Sequence, residues 1–564
     1  MRTLDWVVLI GSLTAIVFYG LWRSRGEQTV KSYLLAGKTM PWYAMALSIM
    51  ATQASAITFI STTGQSYVDG MRFVQFYFGL PIAMVILSAT VVPIFHRTNV
   101  YTAYEYLERR FDAKTRALVS FLFLIQRGLA VGISLYAPAI VLTILLGWSD
   151  LWTTTMMGAI VIAYTTFGGI KAVTWTEFIQ MLIIMGGLVA ALITAVWMLP
   201  GDVSLFDAVT LAGAAGKINP VVFHFDWNDR YNIWSGLLGG TFLALAYFGC
   251  DQSQVQRYLT GKSVNQSRLS LLFNAVAKVP MQFFILFIGA IVFVFYTFEK
   301  PPILFQPDQL AMAQSVKGDY AAVSDRYDAA FGQRQTAARE LLAAKHAGDS
   351  QRMETSVVHY RAADQKFQRT RQEGFALAER ASGEEVNDTN YIFLTFVTTH
   401  LPAGIVGLVM AVIFAATMSS ISAEINSLAT VSVIDIYQRH IKRDAPDRHY
   451  LRVSRIATVF WGAYAVFTAD YGKNLGSLIE AVNILGSLFY GGLLGVFVLA
   501  FVFKSVRGTA AFLGVIAGEA AIFATRWLTD ISFLWYNVIG CTVVILVALA
   551  VTSLLRPPAD AEPA

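Results

Sequence analysis

Thirteen apolar stretches run through this chain, and their length is the feature that most constrains what the chain can fold into. Each is long enough to cross roughly 30 Å of hydrocarbon as a helix. Of the 564 residues, 56% are hydrophobic and 14% are charged, which excludes a soluble domain and predicts an all-α polytopic membrane protein. The predicted spans are 3–22, 41–66, 71–95, 116–147, 150–167, 174–199, 232–256, 271–299, 404–437, 452–471, 475–503, 508–527 and 533–555.

The positive charges between the stretches predict the orientation of the chain. Because loops rich in Lys and Arg stay on the cytoplasmic side, the N-terminus is predicted to lie outside and the C-terminus in the cytoplasm, in a plasma membrane (the bacterial inner membrane). The net charge of +5 follows this distribution and predicts contact with membrane lipid, not with nucleic acid. The basic residues on the predicted cytoplasmic side include Arg23, Arg25, Lys31, Lys38, Arg97, Arg109, Arg110, Lys171, Arg257, Arg439, Lys442 and Arg443.

Residues 301–388 depart from this pattern because they are polar and fall on the outer side. Apolar residues recur there at helical spacing, and Ala347-Gly348-Asp349 interrupts them, which predicts a helical hairpin. A passive, family-specific insertion is favoured over a module that binds a partner. The sequence makes no prediction about the oligomeric state.

Two chemistries are excluded by their residues. Gly261-Lys262-Ser263 resembles the end of a phosphate-binding loop, but Gln256 stands where the first glycine should be and no strand precedes it. Cys250 and Cys541 both lie in apolar stretches and are too few for a zinc or iron–sulfur centre. The chain is therefore predicted not to be an enzyme and to draw energy from an ion gradient rather than from a nucleotide.

Two interrupted apolar segments point to that ion. Ser419-Ser420 offers two hydroxyls deep inside one stretch, and polar residues around Gln53 interrupt another. Hydroxyl and carbonyl oxygens at a broken membrane helix are typical ligands of a small coupling cation. The alternative is that these serines only bond the carbonyl four residues back in their own helix.

The order of several motifs resembles the sodium:solute symporter family. The matching pieces are Gly37 to Phe59, Tyr101 to Phe111, Gly168 to Gln180, Gly249 to Arg257 and the serine-rich span that ends in Asp435-Ile436-Tyr437. The resemblance implies two inverted five-helix repeats with broken helices and Na+ as the coupling ion. It divides the chain into a peripheral helix 1–40, a first repeat 41–199, an outer loop 200–231, a second repeat 232–503 interrupted by 301–388, and peripheral helices 504–564.

The resemblance also implies sodium ligands. The common sodium site of the family maps onto the carbonyls of Ala51, Ala54 and Ala416 and the hydroxyls of Ser419 and Ser420. Neutral oxygens suit a monovalent ion that must leave in every cycle. A second sodium site, found in some members, maps onto Glu177 and Ser422, but Ala423 lacks the hydroxyl expected next. Glu177 is alternatively a cytoplasmic-side gate or a partner of Lys171.

Substrate positions carried over from sugar-transporting relatives argue against a sugar. Leu80 and Ala244 stand where hydrogen-bonding side chains are expected, so a sugar would lose partners that it needs. The remaining candidate substrate residues are Gln53, Thr58, Tyr77, Lys278 and Asn483, together with Tyr247 as an inner aromatic gate.

Arg127 is the last candidate, because a guanidinium inside a membrane helix is costly unless it is paired. Together with Lys278 it could bind a carboxylate, or it could form an ion pair with Glu424 or Asp251. The favoured function is sodium-coupled symport of a small organic solute, a carboxylate being one candidate, by alternating access. The alternatives are a carrier of a neutral sugar or amino acid, a solute-sensing transceptor, for which a long signalling domain would be expected, and an ion channel, for which no filter loop is seen.

Overall fold

The computed structural model describes residues 2–23, 29–469 and 477–555 of the chain. Arg25, the end of the stretch 452–471, the start of 475–503 and residues 556–564 lie outside these described ranges. Within them, almost all regular structure is helical, and Met40 and Gly261 form a single bridge. The prediction of an all-α chain is confirmed.

The described residues form twenty-two α-helices. The first ten are α1 (Thr3–Arg23), α2 (Val30–Leu35), α3 (Trp42–Gln53), α4 (Ala56–Asp69), α5 (Leu80–Ala89), α6 (Val91–Thr98), α7 (Ala103–Arg110), α8 (Ala113–Leu146), α9 (Asp150–Trp197) and α10 (Leu205–Ala214). The next seven are α11 (Gly240–Gly249), α12 (Gln252–Leu259), α13 (Val264–Phe298), α14 (Pro307–Ser315), α15 (Lys317–His346), α16 (Ser350–Ser382) and α17 (Thr389–His400). The last five are α18 (Ile405–Val431), α19 (Asp447–Thr468), α20 (Leu478–Val502), α21 (Gly508–Leu528) and α22 (Leu534–Leu554).

Nine helical segments among the described residues are long and apolar enough to cross a membrane. Among the described residues, every predicted stretch falls largely on helix, but several join or divide, so the count of thirteen spans stays a prediction. The 48-residue α9 contains two predicted spans, and Gly169 divides it with φ +57°. A side chain there would meet the backbone oxygen of Tyr33, so both the turn and the close approach require glycine.

Two membrane helices are broken near their middle. The chain leaves helical geometry at Ala54, between α3 and α4, and again between α11 and α12, where Asp251 caps the second half through the amide of Ser253. Such breaks expose backbone carbonyls and amides that membrane proteins tolerate only where they line a cavity or are buried in protein. The break in the second predicted span is therefore present, and a second break lies in the seventh.

The insertion is a long antiparallel hairpin of α15 and α16. Gly348, at φ +69°, stands between the helices where the sequence predicts the interruption. The buried Arg334 guanidinium donates to the carbonyl of Tyr296 at the end of α13 and lies 4.7 Å from the ring centre of Phe293. Lys345 and His346 bind the Asp207 carboxylate of α10, at 2.7 and 3.0 Å. The hairpin is thus tied to α10 and α13.

Candidate functional site

A cavity of about 120 Å³ lies where the two broken helices meet α8, α13, α18 and α20. All seven residues that the sequence predicts for the substrate line it, and so does Ser420. The seven are Gln53, Thr58, Tyr77, Arg127, Tyr247, Lys278 and Asn483.

The predicted sodium ligands come together at the end of α3. The hydroxyl of Ser419 lies 3.0 Å from the carbonyl oxygen of Ala51 and 2.8 Å from that of Ala416. The hydroxyl of Ser420 donates to the next carbonyl of α3, that of Thr52, at 3.0 Å. The Ser419–Ala416 bond lies within α18, but the Ser419–Ala51 and Ser420–Thr52 bonds run between helices, so neither serine bonds only its own helix. Ala54 lies at the break itself, with its amide bonded to Ala51.

The oxygen atoms of the predicted sodium site are all uncharged. Hydroxyl and carbonyl oxygens, with no carboxylate among the five predicted ligands, suit a monovalent cation. Among the described residues, no cluster of three or more His, Cys, Asp and Glu side chains forms a site for a divalent or transition metal. The arrangement can therefore hold Na+ through oxygen atoms of α3, α18 and the break.

Glu177 lies beside this site, fully buried, but its partner is Arg257 of α12 rather than Lys171. The guanidinium and carboxylate are 2.9 Å apart. Thr52 joins the pair, because its hydroxyl lies 3.2 Å from Glu177 and accepts from Arg257 at 2.9 Å, and Ser48 also donates to Glu177. The last turn of α3 is thus connected to α9 and α12. The sequence predicts Arg257 only as a charge on the cytoplasmic side, because the polar residues around it do not indicate burial.

The second candidate sodium site, at Glu177 and Ser422, has fewer oxygen atoms available for an ion. The hydroxyl of Ser422 donates to the carbonyl of Ser419 within α18, at 3.0 Å. Glu177 uses both carboxylate oxygens on Ser48, Thr52 and Arg257. Ala423 has no hydroxyl to offer. These contacts favour the gate over the second sodium site as the role of Glu177.

Arg127 forms the ion pairs that were the alternative to a free anchor. One terminal nitrogen lies 3.0 Å from a carboxylate oxygen of Glu424, and the other donates to Asp251 and to the Tyr490 hydroxyl, the latter at 2.7 Å. Both acids named from the sequence are partners at once, while Tyr490 was not foreseen. The cluster joins α8, α18 and α20 to the break between α11 and α12.

Lys278 has a different environment. Its residue is only 1% exposed, and its ammonium group has no hydrogen-bond partner among the described residues. The nitrogen lies over the ring of Tyr77, 5.5 Å from the ring centre, a cation–π geometry. Of the two predicted cations of the cavity, only Lys278 keeps all its hydrogen-bond donors free for a ligand.

The other predicted substrate residues form part of the cavity wall, and most of their polar groups already have hydrogen-bond partners within the protein. Gln53, Thr58 and Asn483 each donate to a backbone carbonyl at 2.8–3.1 Å. The hydroxyl of Tyr247 accepts from Gln254 at 2.8 Å, and its ring lies 5.5 Å from the Arg127 guanidinium. Much of the remaining wall is apolar, formed by Ile57, Phe76, Leu80, Leu243, Ala244, Phe248, Ile479 and Val482.

Comparisons with known proteins identify the family and the fold. The family model of the sodium:solute symporter family matches residues 33–324 and 370–518. The sodium/sialic acid symporter NanT of Aliivibrio fischeri is 28% identical over 97% of this chain and 92% of its own. The human sodium-coupled monocarboxylate transporter 1 is 28% identical over 92% of this chain and 72% of its own. The solved structure of a Na+-coupled sialic acid symporter, in a substrate-bound outward-open state, matches with a TM-score of 0.77 at 25% identity over 99% of each chain.

Proposed function

Since the chain belongs to the sodium:solute symporter family, we propose that the small organic solute it carries with Na+ is a carboxylate. The chain is a sodium-coupled symporter and a multi-pass membrane protein. One observation supports the carboxylate above all: the Lys278 ammonium is buried in the cavity with no hydrogen-bond partner among the described residues. A buried ammonium is costly unless an anion or hydrogen bonds compensate it.

The charges of the cavity support the same proposal. When all four groups are ionised, Arg127 and Lys278 carry two positive charges, and Asp251 and Glu424 carry two negative charges. A carboxylate solute would add one negative charge, and one Na+ at the serine site would offset it. The relatives named above carry sialic acid and monocarboxylates, both of which are organic acids.

A neutral sugar is disfavoured by the walls of the cavity. Leu80 and Ala244 both face it, and neither can donate or accept a hydrogen bond. A site that binds hydroxyl groups by hydrogen bonds loses much of its discrimination when these partners are missing. The apolar wall instead suits the carbon skeleton of an amphipathic acid.

The sodium site of the proposal consists of Ala51, Ala54, Ala416, Ser419 and Ser420. The contact of Ser419 with Ala51 supports it, because an ion at this point would bridge the broken helix and α18. Alternating access then follows from the fold: Na+ holds α3 against α18, the solute occupies the adjoining cavity, and both leave after the surrounding helices rock.

The Glu177–Arg257 pair fits a gate in this cycle. It connects α9, which carries Glu177, to α12, and the Thr52 hydroxyl joins both side chains to α3 next to the proposed sodium site. Opening toward the cytoplasm would require this buried pair to separate. This role assumes the predicted orientation, with the N-terminus outside, the C-terminus in the cytoplasm of a bacterial inner membrane, and repeats over 41–199 and 232–503.

Arg127 takes a supporting role in the proposal. Its donors are engaged by two carboxylates and a tyrosine, so a solute could bind it only by replacing one of them. Arg127→Gln should therefore impair folding, and Glu424→Gln in the same chain should restore part of it, because the second change removes the buried carboxylate left unpaired.

Counterflow of labelled solutes in proteoliposomes tests the substrate class. Screening organic acids against neutral sugars and amino acids should find an acid whose uptake depends on a sodium gradient. Lys278→Met should raise the half-saturation concentration for that acid at least about 10-fold, since charge-assisted hydrogen bonds contribute about 1.5–3 kcal/mol. Lys278→Arg should lose less.

Two controls sharpen the outcome. Lys262→Met removes the same charge at an exposed position outside the cavity and should leave uptake unchanged. Sodium binding by Lys278→Met, measured by thermal shift without solute, should persist because the ion site lies on α3 and α18. An acid carried equally well by wild type and Lys278→Met, or a neutral substrate, would overturn the carboxylate proposal.

A further inference from the structure

Glu519 lies at the middle of α21, and the site described above does not use it. The residue is 8% exposed, both carboxyl oxygens are buried, and neither has a hydrogen-bond partner among the described residues. The helix that carries it is apolar and long enough to cross a membrane. An ionisable side chain at this depth is expensive and is by default a candidate for function.

The carboxyl is enclosed by closely packed helices. It lies directly against Gly492 of α20, where an added Cβ would clash with the carboxyl oxygen Oε1. Gly495 of the same helix and Gly518 of α21 both pack against Val544 of α22. Glycine at these positions lets the backbones of α20, α21 and α22 approach closely. A carboxyl occupies this setting, although burying an apolar side chain there would cost less free energy.

None of the described titratable groups around α21 pairs with Glu519. On α20, Glu480 pairs with Arg230, and the Tyr490 hydroxyl contacts Arg127 and Asp251. The other titratable groups on α21 and on the helices packed against it are Arg526 near the end of α21, Tyr536 and Cys541 on α22, and Lys114, Arg116 and Tyr136 on α8. Lys114 contacts Thr509, and Arg116 pairs with both Glu108 and Asp435. None of them hydrogen-bonds to Glu519.

The position of Glu519 relative to the cavity suggests what it does. Tyr490 faces the Arg127 cluster, and Gly492 follows two residues later, which is about 200° around the helix. The cavity and Glu519 therefore contact opposite faces of α20. Any movement of α20 away from α21 would change the surroundings of this carboxyl.

We propose that Glu519 is a proton-binding site within the membrane. It holds a proton as a neutral carboxylic acid while α20 packs against α21, and it releases that proton when α20 moves away and water reaches the carboxyl. An ionised carboxylate would leave two desolvated, unpaired oxygens against Gly492, so loss of the proton weakens the packing of α20.

Infrared difference spectroscopy on the full chain in liposomes tests the protonation directly. Wild type minus Glu519→Gln at neutral pH should show the carbonyl band of a protonated carboxylic acid, and raising the pH should replace it with carboxylate bands. Carboxylate bands already at neutral pH would overturn the proposal. Because glutamine is neutral and similar in shape, this variant should fold.

A second measurement needs no band assignment. The unfolding temperature of wild type should decrease as the pH rises above the range in which an ordinary carboxyl ionises, because the unfolded chain has then released a proton that the folded chain still holds. This decrease should be smaller or lost in Glu519→Gln and in Glu519→Leu, whereas Glu177→Gln, which removes a carboxyl paired with arginine, should keep it. Identical pH profiles for wild type and both Glu519 variants would contradict the proposal.

Discussion

Replacing Ser419 by alanine is the sharpest test of the sodium site. The hydroxyl lies 3.0 Å from the Ala51 carbonyl and 2.8 Å from the Ala416 carbonyl, so it is one of three oxygens gathered at the same point. The substitution removes one of the five proposed ligands and adds no bulk. A polar contact to a charged group contributes about 1.5–3 kcal/mol, which predicts a sodium half-saturation concentration about 10- to 150-fold higher.

The assay is solute uptake into proteoliposomes over a series of sodium concentrations. The maximal rate at saturating sodium should change less than the half-saturation value, because the remaining four ligands still form a site. Ser427→Ala is the matched control: it lies on the same buried helix, and its hydroxyl bonds only the Glu424 carbonyl, at 2.8 Å. An unchanged sodium response in Ser419→Ala, or an equal shift in Ser427→Ala, would refute the site.

Three further predictions concern the gate, the insertion and the orientation. Arg257→Gln and Glu177→Gln should each alter the balance between inward-open and outward-open states. In unfolding measurements the double variant should show a coupling energy of about 0.5–3 kcal/mol between the two residues, and purely additive effects would contradict the proposed gate. Burial tends to raise the pKa of Asp207, but hydrogen bonds from Lys345 and Ser204 outweigh it and hold that pKa well below its ordinary value. Its contribution to stability is therefore present at neutral pH and lost on acidification, so Asp207→Asn should lower the unfolding temperature at neutral pH and flatten its acid dependence. A tag within 301–388 should be labelled by a membrane-impermeant reagent outside intact cells, and labelling only after lysis would reverse the topology.

Local patterns were sufficient for the helices and for much of the site. Apolar length predicts the spans because a helix in lipid must satisfy its own backbone bonds over a known thickness. The polar interruption around Gln53 predicts the break at Ala54, and the serine pair at Ser419 predicts its partner. These features depend on neighbours in sequence, or on two motifs matched to one family.

The partners of the buried charges could not be read in the same way. Arg127 has Asp251 and Glu424 as partners, 124 and 297 residues away. The sequence alone gave no preference between these ion pairs and a free Arg127 that binds the carboxylate of a solute. Arg257 was counted among the cytoplasmic loop charges because its motif is polar. It is in fact fully buried with Glu177, since α12 is the second half of a broken helix and packs against α3.

The sequence by itself therefore determined the class of the protein, its ion and the break in the second predicted span. Hydrophobic length, loop charge and oxygen-bearing side chains act locally, and each has few physical solutions inside a membrane. Only the tertiary structure decided which positively charged side chain of the cavity has hydrogen-bond donors available to a solute. That distinction between Arg127 and Lys278 depends on which carboxylates the packing brings within about 3 Å, because the Coulomb and hydrogen-bond energy of a buried charge is set by its nearest neighbours in space.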